Sequence, residues 1–238
     1  MYESPPKIKN MPENQFFQSA ISVNCVVFGF DGKDLKLLLI ERELEPYEGY
    51  LSLPGGLVYP REDLHAAASK VLHSITGMNH VYRAQLKAFA ATDRHPFGRV
   101  ITVAYLCLLR YLKADLSEST FAKSTKWYDV ANLPPLVFDH DKIMKVGVQR
   151  LRENIRSRPM AFELLNEKFT LPELQLLYEK ILDKDLDKRN FRRKINYMDF
   201  LEDTNEIQKH KMYRPAKLYS FNRERYEDAV SKGYVFSL

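Results

Sequence analysis

The sequence predicts an α/β (α+β) protein with two domains, a larger mixed domain over residues 18–157 and a smaller one over 158–238. Two apolar runs at 21–30 and 35–41 are typical of strands, and the Asp-Gly pair between them favours a hairpin. An amphipathic helix follows near residues 64–76, where apolar side chains recur with a period of 3.6. Arg158-Pro159 interrupts a long amphipathic helix and marks the domain boundary. Residues 1–17 are expected to form an N-terminal extension.

Composition limits the class of protein. The chain has 238 residues, of which 45% are hydrophobic, and this share argues against global disorder. No apolar run approaches the roughly 18 residues that a membrane helix needs, and the N-terminus lacks the apolar segment of a secretory signal. The two cysteines, Cys25 and Cys107, lie in strand-like runs and are expected to be buried thiols. These features predict a cytoplasmic protein.

The larger domain continues with two further strands and a helix. Strands at 81–91 and 99–109 flank a polar loop, and a later strand contains Trp127. A helix from Asp141 to Ser157 completes the domain. The first helix is expected to start at Glu62 or Asp63 and to end at Gly77.

The spacing from Gly56 to Met78 resembles the Nudix box of phosphohydrolases. Gly56, Glu62, Leu72, Gly77 and Met78 match the pattern. Lys70-Val71 stands where the box has Arg-Glu, and Ser74-Ile75 stands where it has Glu-Glu.

The replaced positions are those that would bind metal. Residues 71, 74 and 75 share one helical face, and carboxylates there would collect the hard cations that activate water on a pyrophosphate. Valine, serine and isoleucine cannot do so. The sequence therefore predicts a Nudix-like α/β/α sandwich that is not an enzyme and holds no metal or cofactor.

The smaller domain begins with a helix that has a capping box. Thr170 is the N-cap and Glu173 the third helical residue. A second helix starts after Asp187, and its apolar residues Phe191, Ile195 and Met198 face inward. Five of the seven residues from Lys188 to Lys194 are basic, and Lys188, Arg189, Arg192 and Arg193 are expected to face outward.

Two predicted strands with a basic connection follow this helix, at 200–202 and 217–221. Helix, turn, basic helix and hairpin in this order resemble a winged helix-turn-helix. Arginines on such a helix can contact guanine edges and lysines can contact phosphates, although a solvated face and a protein-binding adaptor stay open as alternatives. Asn190 is expected either to read adenine or to cap the helix. The predicted DNA-binding residues are Lys188, Arg189, Asn190, Arg192, Arg193, Lys211, Arg214 and Lys217.

A ligand cleft is predicted where the loop 92–98 and the Gly55-Gly56 turn approach each other. Arginine and aspartate there could bind phosphates or sugar hydroxyls, while a local Asp–Arg pair and surface salt bridges are the alternatives. Asp139-His140-Asp141 is not expected to bind metal, since three adjacent side chains do not converge on one ion. The predicted effector-binding residues are Glu41, Arg42, Gly55, Gly56, Asp93, Arg94, His95 and Arg99.

Four motifs in this order resemble the NrtR-type family of Nudix-related transcriptional regulators. They are 53–58, 93–96 with Arg99-Val100, 138–140 and 187–192. The resemblance implies a homodimeric repressor that binds operator DNA and senses a small effector in the cleft. It favours the branch that senses a pentose such as L-arabinose, through residues 169–171 and 187–192. The alternatives are an ADP-ribose sensor of NAD metabolism, which Pro54 also fits, and a Nudix hydrolase with residual nucleoside-diphosphate activity.

Overall fold

A computed structural model describes residues 19–111, 122–208 and 215–236. The predicted N-terminal extension therefore lies outside the described residues.

Seven strands form one mixed sheet in the larger domain. Along this sheet the order is β3-β2-β1-β6-β5, with β4 paired to β1 and β7 paired to β2. The central strands β1 and β6 are parallel, with Cys25 opposite Tyr105. The strands are β1 (Ala20–Phe30), β2 (Leu35–Arg42), β3 (Leu51–Ser52), β4 (Gly55–Leu57), β5 (Tyr82–Phe89), β6 (Val100–Leu108) and β7 (Ala122–Asp129).

Helices cover both faces of this sheet. Helix α1 (Leu64–Thr76) packs on the face that carries Val23 and Leu38, and α2 (His140–Asn154) packs on the face that carries Val26. The predicted α/β/α sandwich is therefore confirmed. Both cysteines are buried, and burial raises the pKa of the Cys107 thiol.

The first hairpin is shaped by the Asp31 side chain. Its Oδ1 accepts hydrogen bonds from the backbone N–H groups of Lys33 (2.9 Å) and Asp34 (2.7 Å). Phe30 then pairs with Leu35 across the turn. Aspartate supplies this local acceptor, which explains why the Asp-Gly signal predicts the turn correctly.

Helix α1 begins and ends as its sequence indicates. The Asp63 side chain accepts a hydrogen bond from the backbone N–H of Ala66, and Gly77 ends the helix with a φ of 67°. A left-handed residue at this position favours glycine. Asp63, not Glu62, is therefore the N-cap.

Helix α2 lies very close to β1 at a glycine. A Cβ atom on Gly147 would lie 2.7 Å from Cγ1 of Val26, so this contact requires the absence of a side chain. The helix starts at His140, one residue before the predicted start.

The described residues of the smaller domain form three helices and a three-stranded sheet. A 3-10 turn (Met160–Glu163) precedes β8 (Phe169–Thr170), α3 (Leu171–Leu182), α4 (Lys188–Met198), β9 (Leu201–Gln208), β10 (Ala216–Phe221) and α5 (Arg223–Ser231). The sheet order is β8-β10-β9. This arrangement confirms the predicted winged helix-turn-helix.

The capping box of α3 has both of its hydrogen bonds. Thr170 Oγ1 accepts from the backbone N–H of Glu173 (3.2 Å), and Glu173 Oε2 accepts from the backbone N–H of Thr170 (2.7 Å). The helix buries Leu174, Leu177, Tyr178 and Ile181.

One apolar cluster runs through both domains. It extends from Val26 on β1 through Leu151 at the end of α2 to Tyr178 and Phe191 in the helix-turn-helix. An ion pair between Lys180 and Asp34 (2.7 Å) crosses the same junction. A cavity of about 300 Å³ lies beside it, lined by Asp31, Tyr111 and Glu173 among others.

Candidate ligand cleft and nucleic-acid interface

The face of α1 that would hold metal is packed against the sheet. Val71 and Ile75 are 3% and 0% exposed. Ser74 is half-buried, and its Oγ donates to the carbonyl of Val71 (2.8 Å). A Cβ on Gly56 would lie 3.6 Å from Cγ2 of Val71, which places the valine directly beneath the glycine turn. Within the described ranges, no group of three or more His, Cys, Asp or Glu residues is arranged to hold a metal ion.

Glu62, the retained carboxylate of the box, is engaged in a local ion pair. Lys70 Nζ lies 2.7 Å from Glu62 Oε1 and 4.3 Å from the centre of the Tyr59 ring. The backbone N–H of Tyr59 donates to Glu62 Oε2 (3.1 Å). The bond from Lys70 lowers the pKa of Glu62, so this carboxylate is held ionised within a local ion pair.

The Arg94 side chain is a buried cation that donates three hydrogen bonds to two residues. Its Nε and Nη2 donate to the two oxygens of Asp139 (3.1 and 2.5 Å), and its Nη1 donates to Thr102 Oγ1 (2.5 Å). Thr102 Oγ1 in turn lies 2.6 Å from Ser22 Oγ. Asp93, the expected local partner, is exposed. The Asp–Arg pair therefore joins residues 45 positions apart and fastens the loop 92–98 to the start of α2.

Phe138 is the centre of an aromatic cluster on the rim of the cleft. Its backbone is left-handed, with a φ of 57°. His95 stacks on the Phe138 ring at a centroid distance of 5.1 Å, and Tyr47 meets it edge-on at 5.0 Å. The guanidinium of Arg42 lies 5.0 Å from the same ring. The cluster brings two predicted residues, Arg42 and His95, to one place.

Burial and neighbouring charge both shift the pKa values of the basic side chains in this cluster. Burial lowers the pKa of His95, and the neighbouring charges of Arg94 and Arg42 lower it further. Burial also lowers the pKa of Arg42, whose Nε donates to the carbonyl of Pro46 (2.8 Å). His95 is therefore neutral at pH 7, and Arg42 supplies the positive charge of the rim.

His140 connects α2 to the glycine turn. Its Nδ1 accepts a hydrogen bond from the backbone N–H of Leu53 (3.0 Å). Burial lowers the pKa of His140 to about 3, so the ring is neutral and its Nδ1 is free to accept.

Glu41, Arg99 and Gly55, which were also predicted to line the cleft, each contact other parts of the chain. Glu41 Oε2 accepts from Ser124 Oγ (3.0 Å), and Arg99 Nη1 donates to the carbonyl of Ala90 (2.5 Å). At Gly55 a Cβ atom would lie 2.6 Å from the carbonyl oxygen of Val23, so the turn requires glycine.

The sequence identified the loop but missed the residues that hold it. Tyr47, Phe138 and Asp139 were not predicted as cleft residues. Phe138 entered the sequence analysis only through the family resemblance, and Asp139 also through the run Asp139-His140-Asp141, which was considered for metal. No spacing rule connects residue 94 with residue 139, because their contact depends on the packing of α2.

Helix α4 presents a basic face. The Asp187 side chain caps it by accepting from the backbone N–H of Asn190 (2.8 Å). Lys188, Arg189, Asn190 and Arg193 are exposed, as predicted, whereas Phe191, Ile195 and Met198 are buried. Tyr197 also projects from this helix, with 87% of its surface exposed.

The predicted position of Arg192 needs correction. Arg192 is half-buried, and its Nε is buried without a hydrogen-bond partner in the described part of the chain.

The hairpin of β9 and β10 is the wing of this domain. Its described residues have fewer unpaired basic side chains than the sequence predicted. Lys217 Nζ pairs with Asp203 Oδ2 across β9 and β10 (2.7 Å). Strand β9 also carries Glu202 and Glu206. Lys211 and Arg214, which were predicted to contact DNA, lie outside the described residues.

None of the helices within residues 19–111, 122–208 and 215–236 has the length and apolar character of a membrane span.

Two family models match the two parts of the chain. The NUDIX domain matches residues 18–147, and the NrtR DNA-binding winged helix domain matches residues 161–221. The protein is thus of the class that joins a Nudix fold to a winged helix.

Individual relatives show the same combination. The ADPR responsive transcriptional repressor NtrR of Acinetobacter baylyi is 32% identical over 211 residues, which cover 87% of this chain and 84% of the relative. The crystal structure of Shewanella oneidensis NrtR complexed with a 27mer DNA superposes with a TM-score of 0.75 at 29% identity, covering 91% of this chain and 97% of that one. The ADP-ribose pyrophosphatase of Methanocaldococcus jannaschii is 35% identical over 130 residues, 55% of this chain and 73% of the relative.

The chain belongs to the NrtR-type family of Nudix-related transcriptional regulators.

Proposed function

We propose that the protein is a transcriptional repressor that binds operator DNA as a homodimer and is regulated by ADP-ribose. One observation carries this proposal. The face of α1 that would bind metal in a Nudix hydrolase is apolar and packed, while α4 in the same chain presents an exposed basic face. The first feature removes the ligands that hydrolysis of a pyrophosphate needs, and the second supplies a surface suited to a DNA groove.

The relatives support ADP-ribose as the effector over a pentose. The repressor from Acinetobacter baylyi is described as ADPR responsive. The Nudix domain of Shewanella oneidensis NrtR was crystallised with ADP-ribose, and it superposes on this chain with a TM-score of 0.53 at 27% identity. The arabinose branch gains no support from these relatives. The cleft agrees with a nucleotide, since Arg42 offers positive charge and the Tyr47–Phe138–His95 cluster offers aromatic surface.

Helix α2 offers a physical route between the two sites. At its start, Asp139 and His140 hold the loop 92–98 and the glycine turn. At its end, Arg152 Nε donates to the carbonyl of Ile181 (2.8 Å), the penultimate residue of α3 in the helix-turn-helix. An effector that binds one arrangement of the cleft more tightly would shift α2 and with it the spacing of two recognition helices. That shift cannot exceed the effector's differential affinity for the two states.

The effector is tested by thermal unfolding with ADP-ribose, L-arabinose and ribose 5-phosphate. A ligand that binds the native state raises the midpoint, by the equivalent of about 2.7 kcal/mol at a hundredfold excess over its Kd. We expect this rise with ADP-ribose alone. A rise with L-arabinose alone would restore the pentose branch.

DNA binding is tested by selection from a random duplex library, followed by anisotropy titrations at several salt concentrations. We expect an enriched sequence, a steep loss of affinity with salt, and release of the duplex by ADP-ribose. A flat salt response contradicts DNA binding. Incubation with ADP-ribose and Mg²⁺ or Mn²⁺ tests the hydrolase alternative, and we expect no turnover.

A further inference from the structure

Two side chains on the exposed face of α4 are joined before any partner binds. Asn190 Oδ1 accepts a hydrogen bond from Nη2 of Arg193 at 2.8 Å. The residues are three apart, so one turn of the helix places them side by side. Both are exposed, and the backbone N–H of Asn190 is already bonded to the capping carboxylate of Asp187.

This bond limits what Asn190 can recognise. An asparagine reads adenine by presenting its oxygen and its nitrogen together to N6 and N7 of the base. Here the oxygen already accepts from Arg193, and this bond competes with a contact in which both amide atoms face adenine. The adenine contact considered from the sequence is therefore disfavoured.

The same bond favours a different base. Arg193 has five N–H donors, of which Asn190 takes one, and the other four have no acceptor among the described residues. Guanine presents two acceptors, O6 and N7, on its major-groove edge, and an arginine fork is their most frequent partner. A guanidinium that is braced loses less side-chain entropy when it binds.

We propose that Asn190 is a positioning residue that braces Arg193, and that Arg193 selects a guanine in each half of the operator. This inference rests on the proposed function, because it assumes that α4 enters the major groove. In this proposal Arg193 determines the base preference, and Asn190 determines the orientation of the Arg193 side chain.

Four variants test the proposal by their effect on base preference, measured by selection from a random duplex library and by titration of duplexes with single substitutions. Arg193→Ala is expected to remove the preference for guanine at one position per half-site, a loss of roughly tenfold or more in discrimination. Asn190→Ala is expected to weaken the same preference. Asn190→Asp restores an acceptor for Arg193 and is expected to recover the preference, although its negative charge lowers affinity for every duplex. Lys194→Ala is the matched control, which should weaken binding to all sequences alike and reduce the salt slope by about one.

The outcomes separate this inference from the proposed function. If the wild-type protein enriches no sequence, the proposed DNA recognition fails and the inference fails with it. If it enriches a sequence whose guanines are indifferent to Arg193→Ala, or if Asn190→Ala removes an adenine preference, only the inference is overturned. Each substituted residue is exposed, and far-UV circular dichroism verifies that the variants are folded.

Discussion

The guanidinium of Arg94 donates hydrogen bonds to both carboxylate oxygens of Asp139. Arg94 lies in a loop between two strands, whereas Asp139 lies at the start of a helix. Their side chains are only 5% and 12% exposed. A buried pair of this kind holds two parts of a cleft at a fixed distance. Removing either partner leaves an uncompensated buried charge.

We therefore expect Arg94→Ala and Asp139→Ala each to lower the free energy of unfolding by about 3 kcal/mol. The double variant should lose clearly less than the sum, because the two residues share one interaction. Urea unfolding of the four proteins measures this cycle. Unchanged stability in Arg94→Ala together with lost ADP-ribose binding would show that Arg94 contacts the ligand directly.

His140 is expected to make stability depend on pH. Its pKa is about 3 in the folded protein and roughly 6.5 in the unfolded chain. The unfolded chain thus binds the extra proton between these values, so stability is fully present above pH 6.5 and falls as the pH drops toward 3. From pH 7 to 5.5 the loss attributable to this residue is about 1 kcal/mol.

The His140→Asn variant tests that assignment. Asparagine keeps an acceptor for the Leu53 N–H but does not titrate. Urea unfolding at pH 7 and 5.5 should show a smaller decrease for the variant than for the wild-type protein. Equal decreases would assign the pH dependence to other groups.

Restoring carboxylates to α1 should damage the protein. Val71 is buried, and we expect Val71→Glu to cost several kcal/mol or to hold the glutamate neutral. Ser74→Glu is the matched control, because Ser74 is half-buried and its replacement should cost much less. Thermal unfolding with and without Mg²⁺ measures both variants. A well-folded Val71→Glu protein stabilised by Mg²⁺ would show that the site still accepts metal.

Arg152 is expected to affect the response of DNA binding to ADP-ribose more than the DNA affinity itself. Arg152→Ala removes the bond to the Ile181 carbonyl, so ADP-ribose should weaken DNA binding by a smaller factor than in the wild-type protein. Arg150→Ala is the control, because Arg150 pairs only with Glu153 within the same helix among the described residues. Anisotropy titrations with and without ADP-ribose measure the factor by which ADP-ribose weakens DNA binding. An unchanged factor in Arg152→Ala would exclude this contact as part of the route.

The sequence predicted most elements because their signals are local. Asp31 and Asp63 act within three residues, and the capping box of Thr170 and Glu173 is complete within one turn. Strand β8 and helix α5 were missed for physical reasons. Strand β8 has two residues and pairs only with β10 among the described strands. Helix α5 has no fully buried residue, and its apolar contact is limited to the partly buried Tyr226 and Ala229, which give a weak periodic signal.

The cleft was predicted less well because its geometry is set by distant packing. The positions of Arg42 and His95 depend on Phe138, whose left-handed backbone gives no clear signal in sequence. The half-buried position of Arg192 was not predicted for a related reason. Helical periodicity assigns a face to a residue, but it does not describe how neighbouring side chains cover that face.

The apolar cluster that joins the two domains has a thermodynamic consequence. Val26, Leu151 and Phe191 belong to one continuous interior, so parting the domains would expose a large apolar area to water. A regulatory ligand that contributes 1 to 3 kcal/mol of coupling cannot supply that free energy. If the protein acts as proposed, its effector works through small tilts of α4 within an intact interior, and the spacing of the two operator halves then has a tight geometric tolerance.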